Sequence, residues 1–296
     1  MAAVAALATV SACAPAESPP GGQQAVVAAF YPLAFAAQQI GGSHVRIRNL
    51  VKPGTEPHDL DLTPHQVAAV ADADVVFYLG GLQPAVDQAV ASEASDTSLD
   101  VATVQPLRDG FVPVEEGSSR PGRKGKDPHV WLDPVRYAAI ADAIGARLAT
   151  ADPAHQADYA GRTTALHRRL DALDAEYRAG LANCRTHTFI VSHNAFGYLA
   201  SRYGLTQQPM AGLDPDADLS AGRMAELTRY ATAHHVRVIF FEKLASPRLA
   251  RTLATEIGAQ ARVLDPIEGV EPGDRSDYFS VMHANLAALR TALACA

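Results

Sequence analysis

From Ala25 onward, short β-branched or aromatic runs alternate with longer Ala/Leu-rich segments of helical period, and this alternation restricts the chain to an α/β fold of βα units. Strands are predicted at 26–30, 45–51, 74–79 and 99–101, with helices at 33–40, 63–73 and 84–91 between them. The run 74–79 is continuously apolar and reads as a central strand. Thr63-Pro64 supplies an N-cap and a first-turn proline, and Asp133-Pro134 starts the helix 135–150 in the same way. A second series repeats the pattern, with strands at 186–192, 205–208, 236–241 and 261–264 and helices at 195–203, 219–234, 247–257 and 276–293. Between the two series, the stretch from Asp152-Pro153 to Ala182 meets no further proline and carries Leu166, Leu170, Leu173 and Tyr177 at helical spacing. A helix of about 30 residues is about 45 Å long, which suits a rod joining two lobes. The expected organisation is a leader and tether over 1–24, an N-terminal α/β lobe over 25–151, a linking helix over 152–183 and a C-terminal α/β lobe over 184–296.

With 296 residues, 48% of them hydrophobic, the chain can bury one large core or two medium ones. A net charge of -7, with no dense basic cluster beyond Arg120 to Lys126, argues against a nucleic-acid partner, which demands a positive stripe. The three cysteines lie too far apart for a CxxC motif. Cys13 closes Val10-Ser11-Ala12-Cys13 behind an apolar run too short to span a bilayer, which reads as a bacterial lipoprotein signal whose cysteine becomes lipidated. That run has no positively charged start, so the expected true start lies upstream. The Pro/Gly/Ser/Gln-rich stretch that follows, Ala14 to Gln24, reads as a tether, which places the folded body outside the cytoplasm on a lipid anchor. There Cys184 and Cys295 have two readings, a disulfide or two buried thiols.

Three histidines sit in constrained settings: His58 in Gly54-Thr55-Glu56-Pro57-His58-Asp59, His129 in Asp127-Pro128-His129-Val130-Trp131 with the only tryptophan, and His193 in Ser192-His193-Asn194. A lone histidine is more often packed or solvated than a ligand. Together with Asp265, at the end of the strand-like Ala261 to Leu264, these three follow predicted strands or lead into a helix, where open α/β sheets bind their ligands. Two ligands from each half suit a site buried between two lobes. Three nitrogens and one carboxylate satisfy a four-coordinate divalent ion, and Zn²⁺ takes that shell readily. His65, His155, His167, His234 and His235 lie on predicted helices and read as solvated; His187 and His283 read as structural. Asp59 and Asp61 are candidates to orient His58 or simply solvated, and Glu242 either faces the cleft or caps a turn.

The segments Gly54 to Pro64, Asp127 to Pro134, Val191 to Leu205 and Val263 to Leu286 resemble the metal-binding solute-binding proteins of zinc and manganese ABC importers. The resemblance runs from about Val26 to Leu293. It implies two (β/α) lobes joined by a backbone helix, a metal clasped at their interface, and His58, His129, His193 and Asp265 on the ligand positions. Manganese members tend to carry Glu where His193 stands, so nitrogen here shifts the balance toward Zn²⁺, with Mn²⁺ the alternative. The loop Glu115 to Lys126 lacks the histidines that many zinc members carry there. The implied partners are a membrane permease and a separate ATPase, since this chain has no GxxxxGK[ST] loop, and the implied state is a monomer. A zinc hydrolase would need an open coordination position and a general base, and no HExxH helix is present. A surface adhesin using the metal structurally is a third reading, and transport does not exclude it. Because histidines must be neutral to coordinate, retention is expected to weaken as pH falls below about 6.

Overall fold

The computed structural model of the chain describes residues 22–110, 125–213 and 219–296. Cys13, most of the expected tether and most of the basic loop before Asp127 lie outside them.

The first half forms β1 (Gln24–Ala28), α1 (Tyr31–Gly41), β2 (Val45–Asn49), α2 (Pro64–Ala71), β3 (Val75–Tyr78), α3 (Pro84–Glu93), β4 (Ser98–Asp100) and α4 (Pro134–Ala151). After α5 (Gln156–Leu181), the second half forms β5 (Thr188–Val191), α6 (Gly197–Arg202), β6 (Thr206–Pro209), α7 (Ala221–Ala233), β7 (Val238–Phe241), α8 (Arg248–Glu256), β8 (Gln260–Val263) and α9 (Tyr278–Leu293). Each half holds a four-stranded parallel sheet, in the orders β2-β1-β3-β4 and β6-β5-β7-β8. In both orders the first strand lies between the second and the third. The chain therefore reverses direction across the sheet beside β1 and beside β5, and a crevice opens at each reversal.

Local chemistry sets the ends of these elements. Thr63 and Gln66 form a reciprocal capping box at the start of α2, and the Asp133 carboxylate accepts from Val135 and Arg136 N–H at the start of α4. Strand β2 stops at Asn49, short of the predicted Val51, because the Asn49 side chain accepts the Val51 N–H and turns the chain. The linking helix has 26 residues rather than about 30, because its first turn, Pro153–His155, is a 3-10 turn. It buries Leu166, Leu170, Leu173, Tyr177 and Leu181 along one face against α4, α1 and α9.

One continuous core runs from the first sheet through α1, α4, α5 and α9 onto one face of the second sheet. Period-two alternation decides the faces there: Phe189, Val191, Val238 and Phe240 join that core, while Ile190 and Ile239 pack with Leu227 and Leu253 on the other side. Trp131 ties the halves together. Its ring lies 4.9 Å from that of Phe30, its indole N–H donates to Pro266 O at 2.7 Å, and its carbonyl accepts from the Tyr278 hydroxyl at 2.7 Å. Of the two readings of Cys184 and Cys295, the structure takes the disulfide, which fixes the chain end to the residues just after α5.

Candidate metal centre

The sequence Glu56-Pro57-His58 recurs in kind as Asp127-Pro128-His129, and each acid accepts the backbone N–H of its own histidine, at 2.9 and 3.0 Å. The shorter Asp127 side chain also reaches His129 Nδ1 at 2.8 Å, whereas Glu56, one methylene longer, lies 3.8 Å from His58 Nε2. His129 caps a 3-10 turn, Val130–Leu132, that leads into α4. The His58 loop is held from α3 by the buried Gln83 amide, which donates to Pro57 O at 3.1 Å. His193 follows β5. Pairing of Ile190 with Ile239 brings the positions three residues further on, His193 and Glu242, side by side. Glu242 accordingly takes His193 Nδ1 at 2.6 Å and also accepts the Ser192 hydroxyl.

With Nδ1 engaged on both buried histidines, their Nε2 atoms face a common centre. His129 Nε2 lies 2.7 Å from Glu268 Oε1 and 3.3 Å from His193 Nε2. His193 Nε2 and His58 Nε2 each lie 3.4 Å from the same carboxylate oxygen. The four donor atoms all fall within 4.8 Å of one another. In a tetrahedron with bonds of about 2.0–2.1 Å, donors are about 3.3–3.4 Å apart, so three of these separations already have the spacing of a four-coordinate zinc shell. His129 and His193 are fully buried, and the His58 side chain is 14% exposed, which makes it the histidine nearest solvent.

The fourth member of the cluster, and its carboxylate, is therefore Glu268, and Asp265 stands apart from it. Asp265 Oδ1 accepts the Ile267 N–H at 2.8 Å, its other oxygen lies 3.7 Å from Lys243 Nζ, and the Asn285 amide bonds both its N–H and its carbonyl. Ile267 is held at φ 60°, a left-handed conformation that a β-branched residue adopts only under constraint. Clamped by Asp265, Asn285 and Trp131, this turn redirects the chain and swings Glu268 into the crevice. The strand-end rule selects the residue where β8 runs out, but the turn moves the donor three positions on. The repeated acid-Pro-His pattern was the signal in the sequence that would have picked out Asp127 and Glu56. Asp59 and Asp61 are exposed, and the carboxylate beside His58 is Glu56.

The electrostatics follow from packing three imidazoles around one carboxylate. Burial raises the Glu268 pKa, but hydrogen bonds from His129, His193 and His58 outweigh it and hold the group well below the usual carboxylate range. Burial opposes charge on the histidines too. Asp127 and Glu268 nevertheless raise His129, and Glu242 and Glu268 raise His193 well above the ordinary imidazole value. Burial, with the Glu268 charge adding to it, pushes Glu56 up to about 8, and its Oε1 is buried with no hydrogen-bond partner.

The model of the ZnuA family, described as zinc-uptake complex component A, periplasmic, matches residues 26–292. The zinc-binding lipoprotein AdcA of Streptococcus pneumoniae is 35% identical over 283 residues, covering 91% of this chain and 56% of AdcA, so the chain spans little more than half of that relative. The high-affinity zinc uptake system protein ZnuA of Bacillus subtilis is 35% identical over 277 residues, covering 90% of this chain and 87% of that protein. Among solved structures, the Zn(II)-bound ZnuA-like domain of Streptococcus pneumoniae AdcA superposes with a TM-score of 0.77 at 32% identity, covering 92% of this chain and 99% of that domain.

Proposed function

The chain belongs to the ZnuA family of zinc-uptake components, and from that premise we propose that it captures Zn²⁺ outside the cytoplasm and delivers it to a membrane permease driven by a separate ATPase. His58, His129, His193 and Glu268 are the ligands in this reading, and the protein works as a monomer anchored through lipidated Cys13. The observation that carries it is the set of four donor atoms gathered within 4.8 Å, three of their separations matching a tetrahedral shell. Three nitrogens favour zinc over manganese, which prefers more oxygen. Glu268 fills the fourth position, so capture and release suit the site better than activation of a bound water, and the protein is not an enzyme.

The ion is the cargo, and the protein acts by arranging its donors. Asp127 and Glu242 fix the tautomers of His129 and His193, so that both present Nε2 on arrival of the ion. His58, on the most exposed side, is the last ligand to close and the first to open. Titration of the full chain against a competing zinc chelator tests the assignment: His129→Ala is expected to weaken zinc at least about tenfold. Unchanged affinity in that variant, or manganese bound more tightly than zinc in the native chain, would overturn it.

A further inference from the structure

A second polar pocket, lined by none of the metal-centre residues, opens where the two halves meet against Tyr198. Arg108, Asp133, Arg136, Tyr198, Ser201 and Arg202 line a cavity of about 230 Å³. Its guanidiniums come from both halves: Arg108 precedes the Asp127 segment, Arg136 lies in the first turn of α4, and Arg202 ends α6. Among the described lining residues, three positive side chains face one carboxylate, Asp133, which caps α4 and pairs with Arg202 and, at 3.6 Å, with Arg136. Asp174 also approaches Arg202, at 3.7 Å, but is held more closely by Arg178, at 2.8 Å.

The arginines are set in place by contacts that use only part of their donor capacity. Arg108 Nη1 donates to Gly197 O, and Arg136 Nη1 to Gln105 Oε1 at 3.2 Å and Pro106 O at 3.4 Å. The Cζ atoms of Arg108 and Arg136 lie 5.6 and 5.3 Å from the centre of the same Tyr198 ring. Cation–π contact of this kind holds a guanidinium plane while leaving its edge N–H groups available. Each guanidinium has five N–H donors and no acceptor, so the cavity is rich in unspent donors and net positive charge. At roughly 30 Å³ per water the cavity has room for about seven, ample for one tetrahedral anion with part of its hydration.

We propose that this pocket binds a tetrahedral oxyanion, a phosphate or sulfate group, clamped by Arg108 and Arg136 from one half and by Arg202 and Ser201 from the other. Planar guanidiniums match the oxygens of such a group in pairs, which a carboxylate-poor, net-positive cavity favours. Bound there, the anion bridges the halves beside Tyr198. The Tyr198 hydroxyl accepts the Arg108 backbone N–H and donates to the carbonyl of Asp127, whose side chain takes His129 Nδ1.

The test is calorimetric titration of inorganic phosphate, and separately of sulfate, into the full chain stripped of metal, at low ionic strength balanced with chloride. Saturable one-to-one binding is expected, weakened about tenfold by Arg136→Gln, the loss of one charge-assisted contact. Ser201→Glu places a carboxylate among intact arginines. It is expected to abolish phosphate binding while raising the melting temperature in the absence of phosphate, which separates a blocked site from a misfolded one. Phosphate heats no larger than those of chloride, or affinities unchanged in both variants, would overturn the proposal. Capture by phosphatidylglycerol vesicles without any binding of inorganic phosphate or sulfate would overturn it as well.

Discussion

Substitution of Asp265 separates a residue that holds zinc from one that shapes the turn carrying the ligand. Asp265→Asn keeps an oxygen where Oδ1 now accepts the Ile267 N–H at 2.8 Å, and loses only the 3.7 Å approach of Lys243, a partly exposed pair. Such a pair contributes about 0–1 kcal/mol, so zinc affinity in this variant is expected to fall by no more than about fivefold. Asp265→Ala removes the acceptor and leaves a buried N–H unpaired at a residue already held at φ 60°. Leaving that group unpaired costs about 1–3 kcal/mol, which the turn avoids by opening and withdrawing Glu268. Affinity should then drop by about 5- to 150-fold. Glu268→Gln should exceed the roughly 10- to 100-fold loss typical of an outer hydrogen-bond partner, because it removes the charged donor itself. Competitive titration of all three variants against one fluorescent zinc chelator gives the order directly. If Asp265→Asn proves as damaging as Glu268→Gln, Asp265 is itself a ligand and the account of the turn is wrong.

Zinc binding at pH 7 should release protons, because His129 and His193 are raised above the ordinary imidazole value and Glu56 is pushed up to about 8. Raised groups hold protons that the ion must displace, so affinity should decline already above pH 6.5 instead of only below about 6; calorimetry in buffers of different ionisation enthalpy that detects no proton release would contradict this. Glu242→Gln keeps an acceptor for His193 Nδ1 but loses its charge, and should weaken zinc by about tenfold while leaving the melting temperature of the metal-free protein within a few degrees, as read by chelator titration and thermal unfolding. Removing the Cys184–Cys295 disulfide, whose partners are 111 residues apart, should cost roughly 4–5 kcal/mol on the chain-entropy account; a urea midpoint unchanged in Cys184→Ser would show that the unfolded chain gains little from the link.

Short runs bounded by Gly, Pro and capping residues were enough to place the eight described strands close to where they lie: the inner strands β1, β3, β5 and β7 are apolar because a parallel sheet buries them, and the half-exposed edge strands β2, β4, β6 and β8 are delimited by the turns and helices around them. The three histidines were legible for a related reason, since each stands where an element ends and the backbone is already fixed by a proline or a strand. The choice of carboxylate was made by tertiary contacts instead. Asn285 and Trp131 reach the 265–268 turn from elsewhere in the chain and, with Asp265 inside the turn, force Ile267 into a conformation that its own side chain disfavours. No local preference encodes that conformation, so the donor it delivers, Glu268, became visible only once helix α9 and the Trp131 segment were packed against it.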